Sequence, residues 1–223
     1  MTVQKKYDHA VIATDVVIFT IEEGELKVLL IKMKKSPYEK AWALPGGLVR
    51  GDEDLDGAAR RHLEGKTGVG RVYLEQLASF GDPKRDPFGR VVSVAYFALI
   101  PIGTKELKTT AEYGGVAWFA VKKLPLLAYD HKHILEAAHK RLEGKLAYTN
   151  IASALLPASF TLTELQKVYE IVLDHPLDKR NFRKKVLDLE LVIPAKGKRH
   201  DGAFRPAQLY AFKEKKHVEV AIL

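Results

Sequence analysis

The sequence of 223 residues predicts a mixed α/β fold, a β-sheet covered by helices, followed by a smaller unit of different character. Three observations predict it. Runs of β-branched and aliphatic residues recur through the first 120 residues, and two segments with helical apolar spacing interrupt them. Beyond residue 160 the apolar runs shorten and basic residues gather. A hydrophobic content of 47% can bury a core, which excludes an intrinsically disordered chain.

The strands of the first part are predicted from β-branched and aliphatic runs bounded by turn residues. These runs are Val11–Ile21, Lys27–Lys32, Tyr73–Phe80, Val91–Ile100 and Gly115–Val121. A shorter run, Trp42–Val49, is broken by a Pro-Gly-Gly turn at Pro45. The first two runs are separated by Glu-Glu-Gly-Glu and are expected to form a hairpin.

Two helices are predicted in the same part. The first runs from about Glu53 to Lys66, with acidic residues at its positive N-terminal end and Gly68 as its stop. The second, Leu126–Leu142, has apolar residues at helical spacing.

The segment GGLVRGDEDLDGAARRHLEGKTGV, residues 46–69, resembles the Nudix box, G-x5-E-x7-R-E-U-x-E-E-x-G-U with U an aliphatic residue. Its matching positions are Gly47, Glu53, Arg61, Leu63, Gly68 and Val69. The metal-binding carboxylates of the box fall at positions 62, 65 and 66, which share one helix face and would gather divalent cations. This sequence has His62, Gly65 and Lys66 there. The resemblance therefore implies a Nudix domain without its metal site, with no cofactor and no hydrolysis by that route.

The loop GDPKRDPFGR, residues 81–90, is the best candidate for ligand contacts. It resembles the RDP-containing loop of ADP-ribose-type Nudix proteins, and its arginines could bind a phosphate or carboxylate. As an alternative, it is only a hairpin loop with proline and glycine turn residues. The expected effector-binding residues are Arg85, Asp86, Arg90, Trp42, Arg61 and Lys66. For Trp42 a core position, and for Lys66 an exposed helix position, are the competing interpretations.

A domain boundary is expected near residues 145–159, giving units of residues 1–147 and 148–223. Leu155 and Leu156 require burial there, so the connection is not a flexible linker. Thr161 or Thr163 can cap a helix, and Asp178 can cap a second one, KRNFRKKVLDLEL, with Phe182, Val186 and Leu189 on its inner face. The strands Leu191–Pro194 and Ala207–Phe212 flank the polar loop AKGKRHDGAFR. Helix, turn, basic helix and basic hairpin are the plan of a winged helix-turn-helix.

The positive charge lies where a DNA-binding unit needs it. Residues 178–216 contain twelve Lys or Arg against five Asp or Glu, within a chain of net charge +8. Phosphate contacts from such residues release counterions and weaken steeply with salt. The expected DNA-binding residues are Lys179, Arg180, Arg183, Lys184, Lys198, Arg199 and Arg205. A solvated basic face on an ordinary helical domain is the alternative.

Both parts together resemble the Nudix-related transcriptional regulators, which implies a Nudix α/β/α sandwich with a C-terminal winged helix-turn-helix domain. The family implies a homodimer on a near-palindromic operator, with ADP-ribose as effector in the NAD-metabolism branch and arabinose in a sugar-use branch. A Mg²⁺-dependent hydrolase and a protein-interaction module with an RNA-binding tail are the competing classes. The absence of cysteine, of a signal-peptide pattern and of a membrane-length apolar run leads us to expect a cytoplasmic protein without a membrane partner.

Overall fold

The computed structural model of the protein describes residues 9–68, 72–101, 113–199, 206–214, 216–220 and 222. Within them, a seven-stranded mixed sheet has the order β3-β2-β1-β6-β5, with β4 paired to β1 and β7 to β2. Its strands are β1 Val11–Glu22, β2 Glu25–Lys32, β3 Trp42–Ala43, β4 Gly46–Leu48, β5 Tyr73–Phe80, β6 Val91–Leu99 and β7 Val116–Ala120. The expected hairpin is confirmed, because β1 and β2 pair antiparallel through Glu22 and Glu25.

Helices cover both faces of this sheet. The alternation along β1 sends Val16 and Ile18 into a cluster with Leu63 of α1, Leu55–Thr67. Val17 and Phe19 enter the other cluster with α2, His131–Tyr148. Successive strand side chains point to opposite faces, so the two helices lie on opposite sides of the sheet and the predicted sandwich is confirmed.

The C-terminal unit has the predicted order of elements. A short 3-10 helix, Ile151–Ala154, leads to α3, Leu162–Leu173, and α4, Lys179–Asp188. The wing is an antiparallel pair of β8, Val192–Arg199, and β9, Ala207–Phe212. Phe160 adds a third segment, since its backbone exchanges hydrogen bonds with Tyr210 at 2.9 and 2.7 Å.

Burial confirms that the two units are not joined by a flexible linker. Leu155 and Leu156 are buried, and one hydrophobic cluster runs continuously from the sheet through α2 into α3 and α4. The expected boundary between residues 147 and 148 falls in the last turn of α2. None of the helices in the described residues is long and apolar enough to cross a membrane.

Several predicted boundaries were wrong. Helix α2 begins at His131 rather than Leu126, because the backbone on both sides of Leu127 pairs with Trp42 in an extended conformation. Helix α4 ends at Asp188, so Leu189 forms its C-cap and is 37% exposed instead of lying on the inner face. Strand β8 continues to Arg199 through residues that were predicted to form a loop.

Candidate functional site

A cavity of about 450 Å³ opens beside the Gly46–Gly47 turn, in the size range of small-molecule sites. Most of its lining is apolar, from strands β1, β2, β4 and β6. Its polar part comes from the 81–90 loop, from the start of α2, from Asp15 of β1 and from Tyr113. The polar and charged residues of the lining are Asp15, Arg85, Asp86, Arg90, Tyr113, Tyr129 and His131. Three of the six expected effector-binding residues therefore line one cavity: Arg85, Asp86 and Arg90.

Arg85 forms the centre of a buried ionic cluster in the cavity wall. Its side chain is only 3% exposed. Nε and Nη2 donate to the two carboxylate oxygens of Asp130 at 2.9 and 2.7 Å, and Nη2 also donates to Asp15 at 3.3 Å. Ser93 donates to the same Asp15 oxygen at 2.6 Å. The expected bidentate carboxylate contact of Arg85 is thus made within the chain.

The electrostatics of the cluster keep Arg85 charged. Burial by itself would lower the pKa of the guanidinium, but its hydrogen bonds to Asp130 and the charge of Asp15 together raise that pKa. Asp130 precedes α2 as its N-cap residue but makes no side-chain cap hydrogen bond. Its carboxylate therefore ties the start of α2 to the loop that carries Arg85.

His131 completes the same wall. The buried backbone N–H of Leu44 donates to Nδ1 of His131 at 2.9 Å, so Nδ1 acts as an acceptor. In the neutral ring the proton then lies on Nε2, which faces a carboxylate oxygen of Asp15 at 3.5 Å. This arrangement fixes the orientation of the ring.

The 81–90 loop is closed by its own hydrogen bonds. Asp82 accepts from Lys84 N at 2.7 Å, Asp86 accepts from Phe88 N at 2.8 Å, and Arg90 donates to Gly81 O at 2.9 Å. The loop holds the ring of Phe88 at the cavity edge, 71% exposed. Phe88 was not among the effector-binding residues predicted from the sequence. An aromatic residue inside an otherwise polar loop was the signal that could have found it.

Tyr129 is a second cavity residue that the sequence analysis missed. Its ring packs on Tyr38 at 4.4 Å and on His131 at 5.2 Å between centroids. Burial, followed by the nearby charge of Asp86, raises the pKa of Tyr129. Its phenol therefore stays protonated at neutral pH and can donate a hydrogen bond to a ligand. Nothing in the sequence spacing connects Tyr129 to the Gly-Gly turn.

Arg61 was expected in the effector site, but the structure places it elsewhere. Nε donates to Glu53 at 2.8 Å, and Nη2 donates to the other oxygen of Glu53 and to Leu48 O. The hydrogen bond from Arg61 lowers the pKa of Glu53 to about 2. Glu53 also accepts from Arg50 N at 2.9 Å. The Glu and Arg of the box therefore fasten the loop before α1 and do not line the cavity.

The face of α1 where the box would place carboxylates packs against the Gly-Gly turn. His62 is buried, and a Cβ atom built on Gly47 would lie 2.8 Å from its Cε1. Gly65 faces open space. The side chain of Lys66 lies outside the described residues. Among the residues that the structure describes, no group of three His, Asp or Glu side chains is placed to hold a metal ion.

Trp42 packs against the core and does not line the cavity, so its assignment to the effector site stays a prediction. Its ring packs edge-on against Phe119 with centroids 4.6 Å apart. It also packs against the cluster that is shared with α2. An indole at a sheet edge buries a large apolar area, and packing decides its position here.

The second candidate site is the basic surface of α4. Asp178 caps the helix by accepting from Asn181 N at 2.8 Å, and Lys179, Arg180 and Lys184 are exposed. Tyr169 of α3 packs on the ring of Phe182 at 5.1 Å, which fixes α4 on the preceding helix. The exposed outer face is thus confirmed for three of the four predicted cations.

The remaining cations of this surface differ from expectation or lie outside the described residues. Arg183 is partly buried and donates to the Thr163 hydroxyl of α3 at 2.8 Å. Arg199 of the wing pairs with Glu164, which also closes the capping box of α3 with Thr161. These two arginines hold elements together in the domain. The side chain of Lys198 and the whole of Arg205 lie outside the described residues.

Comparison with known proteins covers both sites. Residues 11–138 match the model of the NUDIX domain, and residues 152–212 match that of the NrtR DNA-binding winged helix domain. The ADPR responsive transcriptional repressor NtrR of Acinetobacter baylyi is 40% identical over 210 residues, which cover 92% of this chain and 83% of the relative. The ADP-ribose pyrophosphatase of Methanocaldococcus jannaschii is 36% identical over 130 residues, 58% of this chain and 73% of the relative.

Solved structures give the same picture. NrtR of Shewanella oneidensis, crystallised with a 27mer DNA, superposes with a TM-score of 0.80 at 35% identity, covering 91% of this chain and 93% of that one. The NUDIX domain of the same Shewanella protein, crystallised with ADP ribose, superposes with a TM-score of 0.55 at 34% identity. That match covers 61% of this chain and 90% of that domain.

Proposed function

The chain belongs to the family of regulators that join a NUDIX domain to an NrtR DNA-binding winged helix domain, and we propose that it represses transcription in response to ADP-ribose. It binds operator DNA in the cytoplasm as a homodimer through its winged helices. ADP-ribose binds the cavity of the NUDIX domain and alters the affinity for DNA, because the two ligands favour different dimer states.

The observation that carries the proposal is the exposed row of cations on α4. Lys179, Arg180 and Lys184 project from one side of a helix that is fixed on α3 and flanked by a wing. A helix so presented enters the major groove, where lysine and arginine reach phosphates and base edges. Arg183 and Arg199 contribute by holding α4 and the wing against α3. Lys198 and Arg205 are proposed to contact flanking backbone.

The cavity supports a nucleotide effector better than a free sugar. Its apolar lining and the exposed Phe88 suit a base. A monosaccharide carries hydroxyl groups around its whole ring, and these would face the apolar lining. Arg90 at the edge supplies a cation for a diphosphate, and Asp86 can accept from a ribose hydroxyl. Because Nε and Nη2 of Arg85 are engaged by Asp130, we assign Nη1 to a ligand oxygen. Lys66 remains a proposed phosphate contact.

We also propose that the protein does not hydrolyse ADP-ribose. At the carboxylate positions of the box, His62 packs under Gly47, Gly65 has no side chain and Lys66 would repel a cation. Glu53 is fully engaged by Arg61. The identity to an archaeal ADP-ribose pyrophosphatase nevertheless makes hydrolysis the second candidate. That candidate predicts release of AMP from ADP-ribose in the presence of Mg²⁺.

Calorimetry followed by gel shift tests the proposal. The purified protein is titrated with ADP-ribose, NAD and arabinose, and every ligand that binds is added to complexes with duplexes tiled from the DNA upstream of its own gene. We expect ADP-ribose to bind and to change the DNA affinity at fixed salt. AMP release at a steady rate with Mg²⁺ would favour the hydrolase, and equal affinity for all duplexes would favour a non-specific nucleic-acid module.

A further inference from the structure

We propose that the described residues 213–214, 216–220 and 222, here called the tail, form a strap that couples the effector cavity to the wing through helix α2. The inference rests on the proposed function and adds the route by which one site acts on the other. The tail follows β9 directly, yet its far end is anchored on the sensor unit. It therefore connects the DNA-binding unit to the NUDIX domain a second time, in addition to the chain between α2 and α3.

Backbone hydrogen bonds anchor the far end of the tail. Val220 N donates to Tyr148 O and Ile222 N donates to Ala147 O, both at 2.7 Å. Glu219 forms an antiparallel bridge with Thr149. Ile222 is 1% exposed and belongs to the core cluster that α2 shares with the sheet. The last described residue of the chain is thus buried in the sensor core, at the C-terminal end of α2.

The side chain of Asn150 holds the middle of the tail. Asn150 is 1% exposed and follows α2 by two residues. Its Nδ2 donates to Glu214 O at 3.3 Å and Lys216 O at 2.9 Å, and its Oδ1 accepts from Val218 N at 3.0 Å. The three contacts fall on alternate residues, so one buried amide contacts the backbone of the tail at three positions. Asn150 is a positioning residue that touches neither proposed ligand.

The near end of the tail lies at the base of the wing and of α4. Lys213 N donates to Leu191 O at 2.9 Å, and Leu191 N donates to Val186 O in α4 at 3.3 Å. The Lys213 ammonium pairs with Glu190 at 2.6 Å. A displacement of the tail therefore acts on the junction between α4 and β8, which sets the angle between helix and wing.

Helix α2 connects the effector cavity to the anchored end of the tail. Its N-cap residue Asp130 is bound to Arg85 in the cavity wall, and His131 lines the cavity. The helix has 18 residues, so it extends about 27 Å from the cavity to the anchored tail at 1.5 Å per residue. Its inward face is fully buried, which favours movement as a rigid body. A ligand that draws Arg85 or His131 toward itself shifts α2, and the strap passes that shift to the wing.

Coupling, and not affinity, is the quantity that tests the strap. Asn150→Ala removes the hydrogen bonds that hold the middle of the strap. A chain that ends after Val218 keeps the Asn150 contacts but removes the anchor on α2. Gln208→Ala is the matched control, because this wing amide binds only backbone oxygens of β8 and β9. For each protein the DNA affinity is measured with and without saturating ADP-ribose, and the ADP-ribose affinity is measured by calorimetry.

The wild-type ratio of the two DNA affinities is expected to be about 5- to 150-fold, the usual range of allosteric coupling. In both strap variants we expect the ratio to fall below about 2-fold, while each ligand alone binds within about 3-fold of wild type. Gln208→Ala should keep the full ratio. A full ratio in either folded strap variant overturns the inference, as does an equal loss of DNA affinity with and without ADP-ribose. If ADP-ribose does not change the DNA affinity of the wild-type protein, the proposed function itself is refuted.

Discussion

Arg85→Ala is the substitution whose cost the structure defines best. Arg85 is almost wholly buried, and its guanidinium makes three hydrogen bonds to the carboxylates of Asp15 and Asp130. Alanine leaves the buried carboxylate of Asp15 and the partly buried carboxylate of Asp130 facing a void without their counter-ion. Removing one partner of a buried ion pair costs about 3–5 kcal/mol, much more than an exposed pair contributes. We expect the free energy of unfolding to fall by that amount.

Thermal and urea unfolding measure this loss. For a chain of this length, 1 kcal/mol shifts Tm by about 2–4 °C, so the variant should melt about 6–20 °C below wild type. Arg90→Ala, on the same loop but exposed, is the control and should cost less than about 1 kcal/mol.

The outcome also separates two roles of Arg85. If Arg85→Ala melts within about 2 °C of wild type, the buried cluster does not hold the wall and the reasoning fails. Arg85→Lys keeps the charge but not the bidentate geometry, so it should recover only part of the stability. An ADP-ribose affinity that falls in Arg85→Lys while stability stays near wild type would assign the residue to the ligand alone.

Further predictions concern the cavity edge, the Gly-Gly turn, α4 and the tail. Phe88→Ala should weaken ADP-ribose binding about 5- to 150-fold, the 1–3 kcal/mol of a base stacked on an aromatic ring, and leave ribose 5-phosphate binding unchanged in calorimetry. Gly47→Ala should lower the free energy of unfolding by about 1–3 kcal/mol, since φ is 157° and the new Cβ meets His62; His62→Ala in the same chain should restore part of it. Arg180→Ala should weaken binding to all duplexes and reduce the slope of log K against log salt by about 1. His217 is exposed at the surface, but partial desolvation of its ring, followed by the charge of Lys145, lowers its pKa. The stability that His217 contributes is therefore complete above its ordinary pKa of 6.5 and is lost as the pH falls below it. Calorimetric scans from pH 8 to 5 should show this loss in the wild-type protein and not in His217→Phe.

Local chemistry explains why most elements could be predicted from the sequence. Asp54 caps α1 by accepting from Gly57 N at 2.7 Å, and Gly68 ends it with φ 71°. Thr161 and Glu164 form the capping box of α3. Each of these signals acts within a few residues of the chain, so it can be seen without knowing the fold. Strand runs in β1 and β6 were equally clear because both strands are buried on two faces.

The candidate sites were harder to predict because the partner of a cation is set by tertiary contacts. Arg85 meets Asp130 across 45 residues of sequence, and Arg199 meets Glu164 across 35. Both arginines were predicted to contact ligands, whereas in the folded protein each of them pairs with a carboxylate. Arg61 is the opposite case, since its spacing from Glu53 belongs to the box pattern itself and the contact could have been expected.

The residues of this chain that match the Nudix box have structural roles beside the cavity. The ion pair of Glu53 and Arg61 fastens the loop that carries Leu48, and Leu48 lines the cavity. His62, at a carboxylate position, is packed against Gly47, whose backbone lines the same cavity. The helix face that would gather cations therefore serves as a rigid support for the turn. These residues thus shape one side of the cavity through packing and one ion pair.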